Sequence, residues 1–253
     1  MRCDILTIFP AAVEPYLAVG VLGQAAVAGV LDVRVHDLRR WAANRYGQVD
    51  DEPFGGGPGM VLMASVVVPA VREVVGAGSA RIVLPDPRGR RFDDTVAREL
   101  AGEPWLVFVC GRYEGLDERV AECLAPDEIS LGDFVLAGGE LAALAMLEAA
   151  ARHVPAVVGD PDSVSADSFA SGLLDHPVYT RPRGFEGRAV PPVLLSGNHA
   201  AIRSWRLAAG LQSTLRRRLD LLVRNWPNLS TEVRALAARI ADEEGIELPP
   251  ECR

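Results

Sequence analysis

Trp105-Leu106-Val107-Phe108-Val109-Cys110-Gly111-Arg112-Tyr113-Glu114-Gly115, followed by residues 116–124, is the stretch that decides how this chain folds. The first six residues form an unbroken apolar run of strand length, and a strand apolar on both faces belongs inside a covered parallel sheet. Glycines then punctuate the run, and residues 116–124 read as a helix. The same succession of strand, loop and helix recurs through the first 155 residues. Strands are expected over 3–9, 31–38, 80–84, 105–110 and 128–131, with helices over 64–75, 93–101, 116–124 and 139–153. This is the pattern of an α/β fold built on a mostly parallel sheet. The stretch 141–151 is apolar almost all round, which predicts burial against the sheet or a second subunit.

Beyond this region the composition changes. Residues 160–172 are dominated by Asp, Ser, Pro, Ala and Gly, with Phe169 the only large apolar group, and read as a linker. Downstream, Leu215, Leu219, Leu222 and Val223 form one stripe at helical spacing, with Arg217 and Arg224 opposite. Ser230 is placed to cap a last helix whose Val233, Leu236, Ala237 and Ile240 share a face. The expected organisation is an α/β domain over 1–159, a flexible linker over 160–175 and a small all-helical domain over 176–253.

Composition narrows the function. All 26 basic residues are arginine, which removes Schiff-base catalysis and the lysine of a nucleotide-binding P-loop. The four cysteines lack CxxC spacing and read as buried free thiols of a reducing compartment. The uncharged run 15–31 is broken by glycines and Gln24 and is too short for a membrane span; Asp4 and Glu14 argue against a signal peptide. The expectation is therefore a cytoplasmic protein. Net charge is −8, yet residues 181–224 hold nine arginines against two acids, a local +7 that leaves −15 on the remainder. Such a segment is either a docking face for a polyanion or an ordinary solvated surface.

Three unusual loops follow the later strands: residues 85–90, residues 110–115 and residues 131–140. In open parallel sheets ligands bind beyond the carboxyl ends of the strands, so these loops belong at one site. Their glycines let backbone approach a ligand closely, and Leu131, Phe134 and Leu136 are suited to sandwich a flat ring. The absence of a GxGxxG fingerprint disfavours a dinucleotide fold. A fourth segment, 50–60, looks like a phosphate cradle, but it lacks the lysine and is preceded by acids. A neutral nucleobase suits it better.

Five motifs occur in order: GGGPGM (55–60), CGRYEG (110–115), ISLGDFVLAGGELA (129–142), ADSFASGLLDHPVYTRP (166–182) and VLLSGNHAAIRSWR (193–206). Together they closely resemble the bacterial tRNA (guanine-N1)-methyltransferases of the knotted SPOUT superfamily, from about Cys3 to about Trp226. The resemblance implies a deep trefoil knot at the end of the first domain, which general topology rules would not predict. It implies S-adenosylmethionine contacts at Pro85, Gly111, Tyr113, Glu114, Leu131, Gly132, Asp133, Phe134, Val135, Leu136, Gly138 and Gly139. Substrate contacts are implied at Gly55, Gly57, Gly59, Met60, Ser196, Asn198 and Arg203. Asp167 matches the family's catalytic aspartate, and Arg152 an arginine that steadies developing charge. The likeness further implies magnesium, a homodimer whose sites borrow the partner's linker and helical domain, and a target guanine just 3′ of the anticodon, position 37. The chain departs from the family pattern at Phe134 (for Tyr), Ala137 (for Ser) and Val178 (for His).

The chemistry fits these residue types. Guanine N1 carries a proton in the neutral base, so a general base must remove it while charge gathers on O6. Two other functions stay open on the residues: a knotted methyltransferase for another RNA position, and an RNA-binding module with a dead site.

Overall fold

The computed structural model describes residues 1–159 and 167–252. The chain divides into two compact units, Met1–Pro161 and Asp162–Arg253. The first holds a five-stranded parallel sheet of β1 (Arg2–Thr7), β2 (Asp32–Asp37), β5 (Arg81–Arg91), β6 (Trp105–Val109) and β7 (Asp127–Ser130), in the order β2-β1-β6-β5-β7. All five expected strands are present. β6 lies in the middle because nearly every residue in it is apolar, and its side chains alternate between two cores. Leu106 and Phe108 join the core beneath α1 (Pro10–Leu17), α2 (Gly20–Val27), α4 (Asp94–Ala101) and α6 (Glu140–Ala151). Val107 and Val109 join the core beneath α3 (Ala64–Val75) and α5 (Arg119–Leu124). The two-residue period of a strand thus produces three layers.

The four expected helices are α3 to α6, with α4 capped by the Asp93 carboxylate, which accepts from the backbone N–H of Thr95 and Val96. α6 is buried through Ala142, Ala143, Leu144, Met146, Leu147, Ala150 and Ala151, as its all-round apolar sequence predicts. Helices α1 and α2 and a short antiparallel pair, β3 (Asp50–Asp51) with β4 (Val61–Leu62), go beyond the elements expected from the sequence. The stretch 85–90 is also not a loop that ends a strand. β5 pairs with β7 up to Pro85, makes an excursion, and resumes at Arg90, still on Ile129. Arg81 and Arg90 hold both ends of that excursion, their guanidinium groups lying 2.6 and 2.9 Å from the Asp127 carboxylate.

The second unit packs α7 (His199–Arg217), α8 (Leu219–Asn225) and α9 (Thr231–Glu244) around Leu211, Leu215, Leu222, Trp226, Ala237 and Ile240. The Ser230 hydroxyl caps α9 by accepting from Val233 N–H, as expected. Three expectations need correction. The stripe from Leu215 to Val223 is not one helix, because Arg218 leaves helical backbone at φ −145°, ψ 58°. The unit is not all helical, since β8 (Gly184–Phe185) and β9 (Arg188–Ala189) form a small antiparallel hairpin. Part of the linker expected over 160–175 lies outside the described residues, and its described part, 167–175, is anchored. Leu173 is buried in the helical core, Leu174 N–H donates to the Thr214 hydroxyl at 2.9 Å, and Asn225 donates to Ser171 O at 2.6 Å.

One buried charge ties the N-terminal edge of the sheet together. Asp4, fully buried, accepts from Arg2 Nε (2.7 Å) and Trp105 Nε1 (2.7 Å) and lies 2.6 Å from His36 Nε2. Burial alone would raise its pKa, but the hydrogen bonds from His36, Arg2 and Trp105 outweigh burial and hold it below the ordinary 3.8. A depressed folded-state pKa contributes stability that is complete above the unfolded value and is lost as pH falls through the folded value. Asp4→Ala is therefore expected to cost about 2 kcal/mol at pH 7, less than a fully buried pair would give because Arg2 keeps access to water. In denaturant titrations at several pH values, the gap from the parent protein should close below about pH 4.

Candidate active site

The three glycine-rich segments converge. Leu62 N–H donates to Gly115 O, Asp117 N–H to Leu62 O, and Glu114 N–H to Met60 O, so the end of the early glycine loop is stitched to residues 114–117. Gly139 N–H donates to Gly111 O at 2.9 Å, and Arg112 pairs with Gly138 as an antiparallel bridge. Both glycines keep this contact close. A Cβ at Gly138 would run into the Arg112 side chain and the Glu140 carboxylate, and one at Gly139 would lie 3.0 Å from Cys110 Cα. Gly89 is equally constrained, because a Cβ there would enter the backbone of Glu128 and Ile129.

The excursion within β5 and the turns after β6 and β7 line a cavity at the carboxyl ends of β6 and β7. Of the twelve residues expected to contact the donor, Asp133 alone does not line it; Pro85, Gly111, Tyr113, Glu114, Leu131, Gly132, Phe134, Val135, Leu136, Gly138 and Gly139 all do. Tyr113 adopts a left-handed φ of 60°, unusual for a non-glycine residue, and is held there by its bridge to Val61. The Ser130 hydroxyl accepts from Gly132 N–H and fixes the start of the third loop. Phe134 is half exposed, offering a ring face to the cavity mouth. Ala137, where the family pattern has Ser, also lines the wall and brings no hydroxyl.

A polar network that the sequence did not signal lies behind this wall. The buried Glu140, in the first turn of α6, accepts from the Thr7 hydroxyl at 2.8 Å and lies 3.9 Å from Arg112 Nε. The Arg112 guanidinium in turn sits 4.6 Å above the Phe9 ring. A carboxylate at a helix N-terminus is favoured by the helix dipole, so Glu140 both stabilises the start of α6 and positions Arg112 at the cavity edge. Arg112 belongs to the GRYEG motif and could have been read from it.

Of the expected substrate residues, Gly55 lines an adjoining groove with Phe54, Arg88 and Glu118. Gly57 and Gly59 both take positive φ, and Gly59 packs on the Glu114 side chain. Met60 holds the loop through its carbonyl. Ser196 and Asn198 have a structural role. The Asn198 side chain accepts from Ala200 and Ala201 N–H, and the Ser196 hydroxyl accepts from Asn198 N–H, so together they start α7. Arg203 lines a groove of the second unit with Asp167, Asp175, His176 and Arg206. His176 Nδ1 lies 2.5 Å from Asp175 Oδ1, and the His176 ring meets the Trp205 ring edge-on. Arg152 closes the C-terminus of α6 in the first unit. Among the described residues no group of three or more His, Cys, Asp or Glu is placed to hold a metal ion.

The family described as tRNA (Guanine-1)-methyltransferase TrmD matches residues 1–224. The chain belongs to this family. It is 50% identical over 246 residues to a tRNA (guanine-N(1)-)-methyltransferase of Frankia alni, covering 96% of this chain and 92% of that one. A protein of the same name from Geobacter metallireducens is 49% identical, covering 88% of this chain and 91% of its own. Another from Moorella thermoacetica is 46% identical over 98% of this chain and all of its own length. The matched residues 1–224 take in the positions of all five motifs.

The glycine contacts give a direct test. Gly89→Ala should cost about 2 kcal/mol in chemical denaturation, because it forces β5 off β7. Gly159→Ala, which meets nothing within 4 Å, should stay within about 0.5 kcal/mol of the parent. Equal stability of the two variants would contradict this packing.

Proposed function

We propose that this chain transfers the methyl group of S-adenosylmethionine to N1 of guanine 37, just 3′ of the anticodon of tRNA. What carries the reading is family membership along nearly the whole chain, joined to a cavity built by the loops that carry the family's motifs. The lining fits the donor's chemistry: backbone amides and carbonyls at Gly111, Leu131 and Gly138 read polar edges, while Leu131, Phe134 and Leu136 cover a flat ring. When bound, S-adenosylmethionine supplies an electrophilic methyl on a sulfonium, and the protein's own task is positioning and proton removal.

Asp167 is the proposed general base, taking the N1 proton. Arg203 and Arg206, which line the same groove, are placed to hold RNA beside it. Arg152 is proposed to steady the charge that builds on O6. The early loop from Gly55 to Met60 would meet the guanine ring, its exposed Phe54 and positive-φ glycines leaving a flat, open surface. Magnesium is implied by the resemblance alone; no cluster of ligands among the described residues fits a protein-built site, and no step is routed through the ion. We also propose the family's trefoil knot, for which the close pairing of residues 138–139 with 110–112 leaves the chain suitably placed. A homodimer is proposed too, with exposed Tyr16, Val19, Val27 and Leu141 on and beside α1, α2 and α6 as the apolar surface available for it. No helix among the described residues is long and apolar enough to cross a membrane, in keeping with a proposed place in the cytoplasm.

Incubation with unmodified tRNA and labelled donor, followed by nuclease mapping, tests the reading: label should sit on guanine 37, and label elsewhere or none would overturn it. Asp167→Ala should lose most methylation while donor affinity persists; unchanged turnover would remove the base assignment. Replacing Arg217 and Arg224, both exposed and outside any ion pair among the described residues, should weaken tRNA binding and flatten its salt dependence by roughly one unit of slope per lost phosphate contact.

A further inference from the structure

The hairpin of β8 and β9 lines neither the donor cavity nor the groove of the second unit. Its turn is Glu186-Gly187, both at positive φ (49° and 75°), the two-residue geometry that matches the twist of a tight hairpin. Phe185 stands opposite Arg188, Gly184 stands opposite Ala189, and Val190 N–H donating to Arg183 O extends the ladder by one step. Directly opposed residues share a face and side chains alternate along a strand, so Arg183, Phe185 and Arg188 lie on one face. Gly184 and Ala189 leave the other face nearly bare.

This face is exposed and unpartnered. Phe185 is 65% exposed and belongs to no core cluster, and Arg183 and Arg188 are exposed as well. Among the described residues, the arginines of the second unit in ion pairs are Arg216, Arg218 and Arg239; neither Arg183 nor Arg188 is one of them. Glu186 is the single acid between residues 176 and 219. An aromatic ring flanked by two uncompensated guanidinium groups, on a short ladder held by backbone bonds, matches single-stranded nucleic acid. Rings stack on unpaired bases, and arginines neutralise the adjoining phosphates. A membrane would need more apolar surface than one ring, and an acidic peptide would make no use of the ring.

We infer that this hairpin is an RNA contact in which an unpaired base stacks on Phe185 while neighbouring phosphates meet Arg183 and Arg188. The inference rests on the tRNA reading and adds to it a contact confined to the second unit. It is tested by equilibrium binding of unmodified tRNA and of a short single-stranded oligoribonucleotide, across a salt series, with the whole chain. Phe185→Ala should weaken both about tenfold with the salt slope unchanged, because stacking releases no counterions. Phe185→Trp should bind at least as well as the parent. Arg183→Ala with Arg188→Ala should instead reduce the salt slope by roughly 1.4 to 1.8. Donor binding and the melting profile should be unaltered in all three, since the hairpin contributes nothing to either unit's core. Parental RNA affinity in Phe185→Ala, or a Trp variant as weak as the Ala variant, overturns the inference while leaving the methyltransferase reading intact. A parent protein that neither binds nor methylates tRNA overturns both.

Discussion

The close backbone approach between residues 138–139 and residues 110–112 is the constraint on which the cavity depends. Two main chains pass so closely that a Cβ at Gly139 would lie 3.0 Å from Cys110 Cα, and one hydrogen bond with one antiparallel bridge joins them. Because α6 begins at the next residue, that contact also sets where Glu140 stands, and through Glu140 it sets the place of Thr7 and Arg112. The excursion in β5 then completes the cavity, and the stitched early loop lines the adjoining groove. Loops of this kind are ordinarily the mobile parts of a fold, but here each is held by backbone bonds to another. A site built from such turns is arranged before its ligand arrives, which is the condition for positioning to contribute to rate.

Charge is divided between the two units in a way that fits an enzyme with an anionic substrate. In the first unit arginines are largely committed to carboxylates: Arg81 and Arg90 grip Asp127, Arg88 bridges Asp86 and Glu118, and Arg119 holds Asp117. In the second, Arg181, Arg183, Arg188, Arg203 and Arg206 pair with no carboxylate among the described residues. The total charge of −8 therefore conceals the +7 of residues 181–224, a charge suited to a polyanionic ligand. A negatively charged remainder repels the same ligand and orients its approach.

Much of this is legible in the residues. The strands are readable because continuous apolar runs such as 105–109 are too short for a buried helix and are bounded by glycine and proline. Helices α3 and α4 are readable because their apolar periodicity is regular, and Asp93 marks where α4 begins. Helices α1 and α2 are not, since the uncharged run 15–31 lacks a polar face to mark a period. Pro85, Pro87 and Gly89 read as the end of a strand, and nothing local reveals that Arg81 and Arg90 bring the chain back to the same partner. The break at Arg218 carries neither Gly nor Pro, while Leu215 and Leu222 continue the stripe because both sides of the break face one core. At the site, the loops that line the cavity are legible as a set, but the roles of Ser196 and Asn198 as helix starters and of Glu140 behind Arg112 depend on the folded geometry. Asp167, in a stretch of small polar residues, has meaning only through the family's motif and the groove it shares with Arg203.

Backbone hydrogen exchange with and without S-adenosylmethionine addresses the central claim, that three separate turns act as one donor site. Slower exchange should appear together at residues 86–90, 111–115 and 131–139 on adding the donor, with the β8–β9 hairpin unaffected. Protection confined to one of those turns, or absent from all three, would contradict the account.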